Sequence, residues 1–229
     1  MIITKPPMAS ADGGLVKEDY FSGVYIIFRK KENILTLDDV LESSWKFLHD
    51  GVRNFRSPFH HSTLTTIDNN KPQVRIVILR EFSEKDRTLV CYCDARGPKV
   101  LQIRDNPNVS WLFYNPKKWL QLRLSGIASV HTNDNTAESQ WEKVRLPHRI
   151  NYCAEIPPGS PTEKPTSGLP DFLRDKAPKL LDSSVGRKNF AAIVCQFDEM
   201  DWLLLKLTGH IRAKFHWKDN QMDASWVIP

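Results

Sequence analysis

The sequence predicts a mainly β, antiparallel fold with a few flanking helices (α+β), most simply a closed or nearly closed barrel. Three observations predict it. Between Ser62 and His131 the chain breaks into short strand-like runs joined by short links. A second group of alternating runs closes the chain after Phe190. With 41% hydrophobic residues, seven Trp and eleven Phe among 229 residues, there is enough apolar side chain for one sizeable core. Many short strands with few helices favour closure, because a closed sheet has no exposed edges. On pattern alone a sandwich also fits.

Residues 1–20 mix Pro, Gly, Ser and charge without periodicity and read as a mobile leader, followed by a single domain over 21–229. Thr36 is a natural N-cap, with Asp39 three positions on. Leu37, Val40, Leu41, Trp45, Leu48 and Val52 then recur at helical spacing, and Gly51 offers a stop. Strands follow at Ser62–Asp68, Gln73–Arg80, Thr88–Cys93, Asn108–Asn115 and Trp119–His131. The last alternates strictly, with Leu120, Leu122, Leu124, Ala128 and Val130 on one face and Gln121, Arg123, Ser125, Ser129 and His131 on the other.

Pro98 suits the first turn of a short helix carrying Val100, Leu101 and Ile103, which must end near Asn106 because Pro107 disfavours helix before it. A longer helix is expected from Thr136 to Arg145, with Trp141 and Val144 buried and Pro147 ending it. Six of the fifteen prolines lie between Pro157 and Pro178, so 157–178 reads as an irregular, insertion-tolerant loop around a helical turn at Pro170–Asp175. The chain closes with strands at Phe190–Phe197 and Trp202–Leu207. In the final run Ile211, Ala213, Phe215 and Trp217 alternate with His210, Arg212, Lys214 and His216.

Composition narrows the function. A net charge of +5 suits an anionic ligand, but the basic residues are dispersed without aromatic interleaving, which argues against nucleic acid as a partner. Cys91, Cys93, Cys153 and Cys195 form no CxxC pair and have no His at zinc-finger spacing. They read as reduced thiols of a cytoplasmic protein with no metal site. The apolar run Val24–Phe28 is too short for a signal peptide and is followed, not preceded, by basic residues. No stretch approaches the ~20 apolar residues of a membrane helix. Glycine-rich phosphate loops, serine elbows and HExxH pairs are absent.

The candidate chemistry is therefore subtler. In Gln73–Arg80, period two places Arg75 on the face of Val77 and Leu79, inside an apolar strand. A guanidinium there needs an anionic partner, either an Asp or Glu of the fold or a ligand. Tyr92, Cys93 and Lys99 border the turn that enters the Pro98 helix, whose N-terminus with Lys99 and Arg75 forms a candidate phosphate site. The competing readings are plain: Lys99 as surface charge, Gln121 as a solvated residue, Trp202 as a core or interface aromatic, and Arg212 with Lys214 as hydrated surface.

The segments Arg75–Arg80, Cys91-Tyr92-Cys93-Asp94, Lys99–Ile103, Asn106-Pro107-Asn108-Val109, Gln121 and Gly126, taken in order, resemble the pyridoxamine 5′-phosphate oxidase-like family of FMN-binding split barrels. The resemblance covers about Trp45 to His131 well and the C-terminal strands more loosely. It implies FMN as cofactor, with Arg75 and Lys99 on its phosphate. Tyr92 and Cys93 would lie along the phosphate and ribityl chain, and Arg75, Ile76, Val77, Ile78, Leu79 and Arg80 would run beside the flavin. Gln121 would meet the isoalloxazine, with Trp202 and either Arg212 or Lys214 contributed by the second subunit of a homodimer.

The resemblance thins at the substrate. Arg80, Trp141, Arg145 and Arg149 occupy the positions where the vitamin B6 enzymes bind substrate, and of the helical three only Arg145 matches. Arg145 and Arg149 would share one helical face if the helix survives Pro147. Pro98 and Cys93 replace the usual Arg and Ser/Thr beside the cofactor phosphate. The expectation is thus a flavin-dependent oxidoreductase of unknown small-molecule substrate. The alternatives are pyridoxamine/pyridoxine 5′-phosphate oxidase itself and a non-catalytic flavin or haem binder using His49, His60, His61 or His210.

Overall fold

The computed structural model describes residues 34–174, 184–219 and 221–229. The expected leader at 1–20 and the end of the expected Pro170–Asp175 turn lie outside these residues. Helix α1 (Leu37–Arg53) opens the described chain under a complete capping box: the Thr36 side chain accepts from Asp39 N–H and the Asp39 carboxylate accepts from Thr36 N–H. Gly51 does not stop this helix. It lies inside it, buried, where an added Cβ would meet the Phe59 carbonyl oxygen at 2.8 Å, so its role is close packing.

Nine strands follow: β1 (His61–Asp68), β2 (Lys71–Ile78), β3 (Glu81–Ser83), β4 (Thr88–Asp94), β5 (Asn108–Asn115), β6 (Leu120–His131), β7 (Phe190–Leu204), β8 (Ile211–Lys218) and β9 (Gln221–Val227). All pair antiparallel in one sheet ordered β2-β1-β5-β6-β7-β4-β3, with β8 on β7 and β9 on β8. β3 and β9 add to the expected strands, and the two expected strands Phe190–Phe197 and Trp202–Leu207 are one 15-residue strand. The polar stretch Asp198–Glu199 that suggests a break is a bulge, where the β6–β7 register shifts between Ser125 and Gly126. Gly126 is required there, since a Cβ would lie 2.1 Å from the Gln196 carbonyl oxygen.

At this bulge β7 changes partner. Its first half pairs with β4 and its second half with β8. The sheet curls around a core of Trp111, Phe113, Phe197 and Phe215, with α1 packed alongside through Val40, Trp45 and Leu48. The hydrogen-bonded ring is not closed. Its edges, β2 and β3, are joined in sequence by Leu79 and Arg80. Leu79 N–H donates to the His60 carbonyl on one side and Arg80 N–H to the Val90 carbonyl on the other.

Helix α2 (Pro98–Asp105) starts at Pro98 as expected. Helix α3 (Asn135–Lys143) is capped by Asp134 and ends before Val144, whose ψ of 115° is extended. Pro147 therefore does not end that helix; it sits in the first turn of a four-residue helix, α4 (Leu146–Arg149). A second apolar cluster, Val90, Trp141, Val144, Tyr152 and Phe190, fills the space between β4, β7 and α3. The described part of the Pro-rich segment, 157–174, is irregular apart from a 3-10 turn at Asp171–Leu173. Its start is pinned, because Arg96 donates to the Ala154 and Glu155 carbonyls while paired with Asp94.

Candidate functional site: a seam in the sheet and an outer cleft

β2 comes alongside β4 without a ladder between them. β3 covers only Thr88–Val90 of β4, so among the described residues the edge of Cys91–Asp94 that faces away from β7 and the second edge of β2 have no strand partner. β2 carries Arg75–Ile78 along this seam. Arg75 faces the barrel with Val77, while Val74 and Ile76 on the opposite face are 62% and 71% exposed. Its guanidinium donates to the Leu64 carbonyl, to Thr66 Oγ1 at 2.6 Å and to Gln102 Oε1 at 3.0 Å. Thr66 Oγ1 in turn donates to Gln102 Oε1, and the Gln102 amide to Asp68.

These acceptors are neutral, and no carboxylate of the described residues is ion-paired with Arg75. Burial lowers its pKa from the ordinary arginine value, with only the neighbouring Cys91 opposing. The charge is oriented and uncompensated. Of the two readings of Arg75, the intramolecular ion pair is not the one built. Thr66 and Gln102, which position it, carry no sequence signal, since a Thr in a strand and a Gln in a helix are unremarkable alone.

Lys99 lies near Cys91 and Cys93, and no described residue partners its ammonium. It sits in the first turn of α2, whose N-cap Gly97 supplies no side-chain hydrogen bond and whose Pro98 has no N–H. Cys93 is buried on the core face of β4, and burial raises its pKa to about 11, so it is a packed thiol and not a nucleophile. Tyr92 points the opposite way, into the second cluster, where its hydroxyl donates to Gln140 Oε1 at 2.8 Å. Tyr92 and Cys93 therefore do not share one face, as alternation along β4 requires. Arg80 leaves the strand with its guanidinium 5.6 Å over the Tyr92 ring and its Nε buried without an acceptor.

The expected substrate arginines separate. Arg149 donates to the Val144 and Trp141 carbonyls and lies 4.7 Å over the Trp141 ring, so it caps the end of α3. Arg145 is exposed at the start of α4. The break at Val144 puts the two on different elements, and the shared helical face does not form. Trp141 is a core residue, edge-on to Tyr152.

The remaining residues lie across the sheet. Gln121 is half-buried on the outer face of β6, level with Leu203 of β7 and, through it, Arg212 of β8. Trp202 points the other way: it is 5% exposed, level with Leu122 and Ala213, with its Nε1 unpaired in the core. Trp202 and Arg212 thus occupy opposite faces. The outer face holds a cleft of about 280 Å³ lined by Ser110, Arg123, Glu199, Asp201, Lys214 and His216. Of the histidines, His60 is bonded to the Gly51 carbonyl and His210 accepts from Lys206 N–H. Among the described residues no group of three or more His, Cys, Asp or Glu is arranged to hold a metal.

Residues 42–132 match the sequence profile of the pyridoxamine 5′-phosphate oxidase, FMN-binding domain. A pyridoxine/pyridoxamine 5′-phosphate oxidase of Psychrobacter cryohalolentis is 39% identical over 88 residues, 38% of this chain and 40% of that protein. A putative pyridoxamine 5′-phosphate oxidase of Caenorhabditis elegans is 28% identical over 126 residues, 54% of this chain and 51% of that one. The matches thus span about half or less of these relatives' length. Among solved structures, a pyridoxamine 5′-phosphate oxidase-related, FMN-binding protein of Nostoc punctiforme superposes with a TM-score of 0.63 at 20% identity. That likeness covers 82% of this chain and 96% of that one. PhzG of Burkholderia lata, solved with tetrahydrophenazine-1-carboxylic acid, gives 0.64 at 15% identity over 90% and 100%. At such identities the structures testify to the fold. The profile matches the segment that builds the seam and the fold extends around it: residues 42–132 resemble the FMN-binding domain of pyridoxamine 5′-phosphate oxidase, and the chain shares the fold of these solved structures.

Proposed function

We propose that the protein binds FMN along the seam between β2 and β4 and uses it as an oxidoreductase toward a small reduced substrate. One observation carries this: Arg75 is held in place by Thr66 and Gln102 with no carboxylate to neutralise it, beside Lys99 and the uncapped start of α2. One fixed guanidinium, one unpaired ammonium and a helix N-terminus suit a phosphate dianion. The chain's share is to hold that phosphate, lay Ile76–Leu79 beside the ring system and aim Arg80 at the open end of the seam. When bound, the flavin supplies hydride acceptance. Arg75 faces the barrel while Lys214 lies on the outer face of β8, so a cofactor touched by both calls for a second copy, and a homodimer is part of the proposal. A cytoplasmic setting fits the four cysteines, none in a disulfide.

Arg149 is committed to capping α3 and Arg145 stands apart. The arginines therefore do not make a phosphate grip for substrate, and the reading favours a substrate other than a vitamin B6 phosphate. The test is an absorption spectrum of the purified protein with mass spectrometry of the heat-released chromophore. FMN near one per chain supports the proposal. A colourless protein that fails to take up added FMN sinks it, and an intense violet band would point to haem.

A further inference from the structure

At the end of β6 three side chains stand in the order of a nucleophile, a base and an acid. Ser129 and His131 share the strand face that looks away from the main core, which takes Ala128 and Val130, and Asp134 caps α3 just beyond. His131 Nε2 lies 2.8 Å from Ser129 Oγ, and His131 Nδ1 lies 2.9 Å from Asp134 Oδ2. The carboxylate serves helix and histidine together, because its other oxygen, Oδ1, accepts the capping bond from Ala137 N–H at 2.8 Å. The turn between His131 and Asp134 is held from outside: Arg187 donates to the Thr132 carbonyl while paired with Glu138 of α3.

The partners fix where the hydrogens sit. The Ala137 N–H above all, and His131 as well, keep the Asp134 carboxyl below its ordinary value, so it only accepts and the Nδ1 facing it carries the hydrogen. In the neutral imidazole Nε2 is then bare and turned to the Ser129 hydroxyl, whose other acceptor, the Val194 carbonyl, is distant at 3.4 Å. Ser129 is exposed, unlike the four cysteines, which are all buried. A hydroxyl in reach of a base that a third group orients is the arrangement of an activated nucleophile. We propose that Ser129 is a nucleophile with His131 as its base and Asp134 as a positioning residue, and that it takes the acyl group of an activated ester. Its chemistry needs no flavin.

In the first step Ser129 Oγ bonds to the acyl carbon as its proton passes to His131 Nε2, and the ester C–O bond breaks with the leaving oxygen taking the electron pair. Water then attacks the acyl-serine with the same imidazole as base, and the acid is released. An aryloxide leaves far more readily than a serine alkoxide, so with an aryl ester acylation outpaces hydrolysis and the acyl-serine accumulates. Ile127, two residues back on the same face and 51% exposed, gives a short acyl chain an apolar neighbour. General-base help of this kind contributes roughly 10²–10⁴-fold, which sets the scale of the effects below.

The test incubates the full chain with p-nitrophenyl acetate, following p-nitrophenolate release and locating the acetyl group by peptide mass spectrometry. One acetyl group per chain on Ser129 is expected, with a burst of p-nitrophenolate that Ser129→Ala abolishes. His131→Gln slows acetylation of Ser129 at least tenfold. So does Asp134→Asn, which still caps α3 but turns its amide toward Nδ1 and so leaves the hydrogen on Nε2, where it blocks proton transfer. Asp134→Asn also keeps the question answerable if His131→Gln fails to fold. A purely structural network leaves Ser129 no more reactive than any exposed serine. The inference is overturned if acetyl groups fall on lysines and not on Ser129, or if Ser129 reacts as fast in folded His131→Gln or Asp134→Asn as in wild type.

Discussion

Arg75 in the seam and Arg212 in the outer cleft are both half-buried strand arginines with two-pronged hydrogen bonding, yet they are electrostatic opposites. Arg75 is held by a hydroxyl, an amide and a carbonyl, which orient it without offsetting its charge. Arg212 is held by the Asp201 carboxylate, which does both. Their pKa values move accordingly. Burial depresses that of Arg75, while the Asp201 hydrogen bonds raise that of Arg212. A guanidinium marks a ligand site only when its partners leave the charge uncompensated, and that depends on neighbours from other strands.

The largest expected effect removes the comparison altogether. Gly126 stands at the bulge where β7 passes from β4 to β8, and hence between the two regions. Gly126→Ala would force a Cβ against the Gln196 carbonyl and the Phe197 Cα, costing roughly 3 kcal/mol or more and depressing the thermal unfolding midpoint by many degrees. An unchanged midpoint would mean the bulge is not as close-packed as described.

Next come the two arginine partners, which should separate function from stability. Arg75→Ala should weaken FMN binding by roughly ten- to hundredfold, about 1.5–3 kcal/mol, with little loss of stability. Asp201→Asn should destabilise the fold by about 1–3 kcal/mol by leaving two arginines without their carboxylate. Its effect is pH-dependent with a definite sign. Burial opposes ionisation of Asp201, but Arg212 and Arg123 outweigh it and hold the carboxyl below its usual value. The stabilisation is therefore complete above about pH 4, the unfolded value, and is lost as pH falls through the lower folded value. Urea midpoints of wild type and Asp201→Asn should differ at pH 6 and converge toward pH 2.5; a constant gap would assign the stabilisation to packing.

Smaller effects sharpen the picture. Thr66→Val removes a buried hydroxyl that accepts from Arg75 and donates to Gln102. It should cost about 1 kcal/mol of stability and several-fold in FMN affinity, a dual loss that Arg75→Ala and Asp201→Asn do not share. Tyr92→Phe breaks only the bond to Gln140, and Gln140 keeps its bond to Glu81. It should cost about 1 kcal/mol or less in thermal unfolding and leave FMN affinity unchanged; a large loss of affinity would move Tyr92 to the cofactor.

How legible each feature was follows from how local its cause is. The Asn108–Asn115 strand falls where alternation puts it, and the Thr36–Asp39 capping box and the Pro98 start are four-residue patterns with no need of tertiary context. Gly51 and Pro147 mislead because each has two uses: a glycine ends helices or admits close packing, and a proline ends one helix or begins the next. β9 alternates Met222, Ala224 and Trp226 but is short and polar, and its pairing with β8 supplies what the sequence signal lacks. The Asp201 clamp shows in sequence only as an acid between Met200 and Trp202, with nothing to tie it to arginines 78 and 11 residues away.

By itself the sequence determined the fold class, the strands β1, β2, β4, β5, β6 and β8, the family resemblance over about Trp45 to His131, and the position of Arg75 within an apolar strand. Those follow from period, composition and short motifs, which act over a few residues. Only the tertiary structure decided which face each side chain of β4 and β7 takes into the seam or the core, that Arg149 serves α3, and that Arg75 and not Arg212 is left uncompensated. The reason is physical: a charge is neutral or available according to atoms within about 4 Å of it, and in an antiparallel sheet those atoms come from strands distant in sequence.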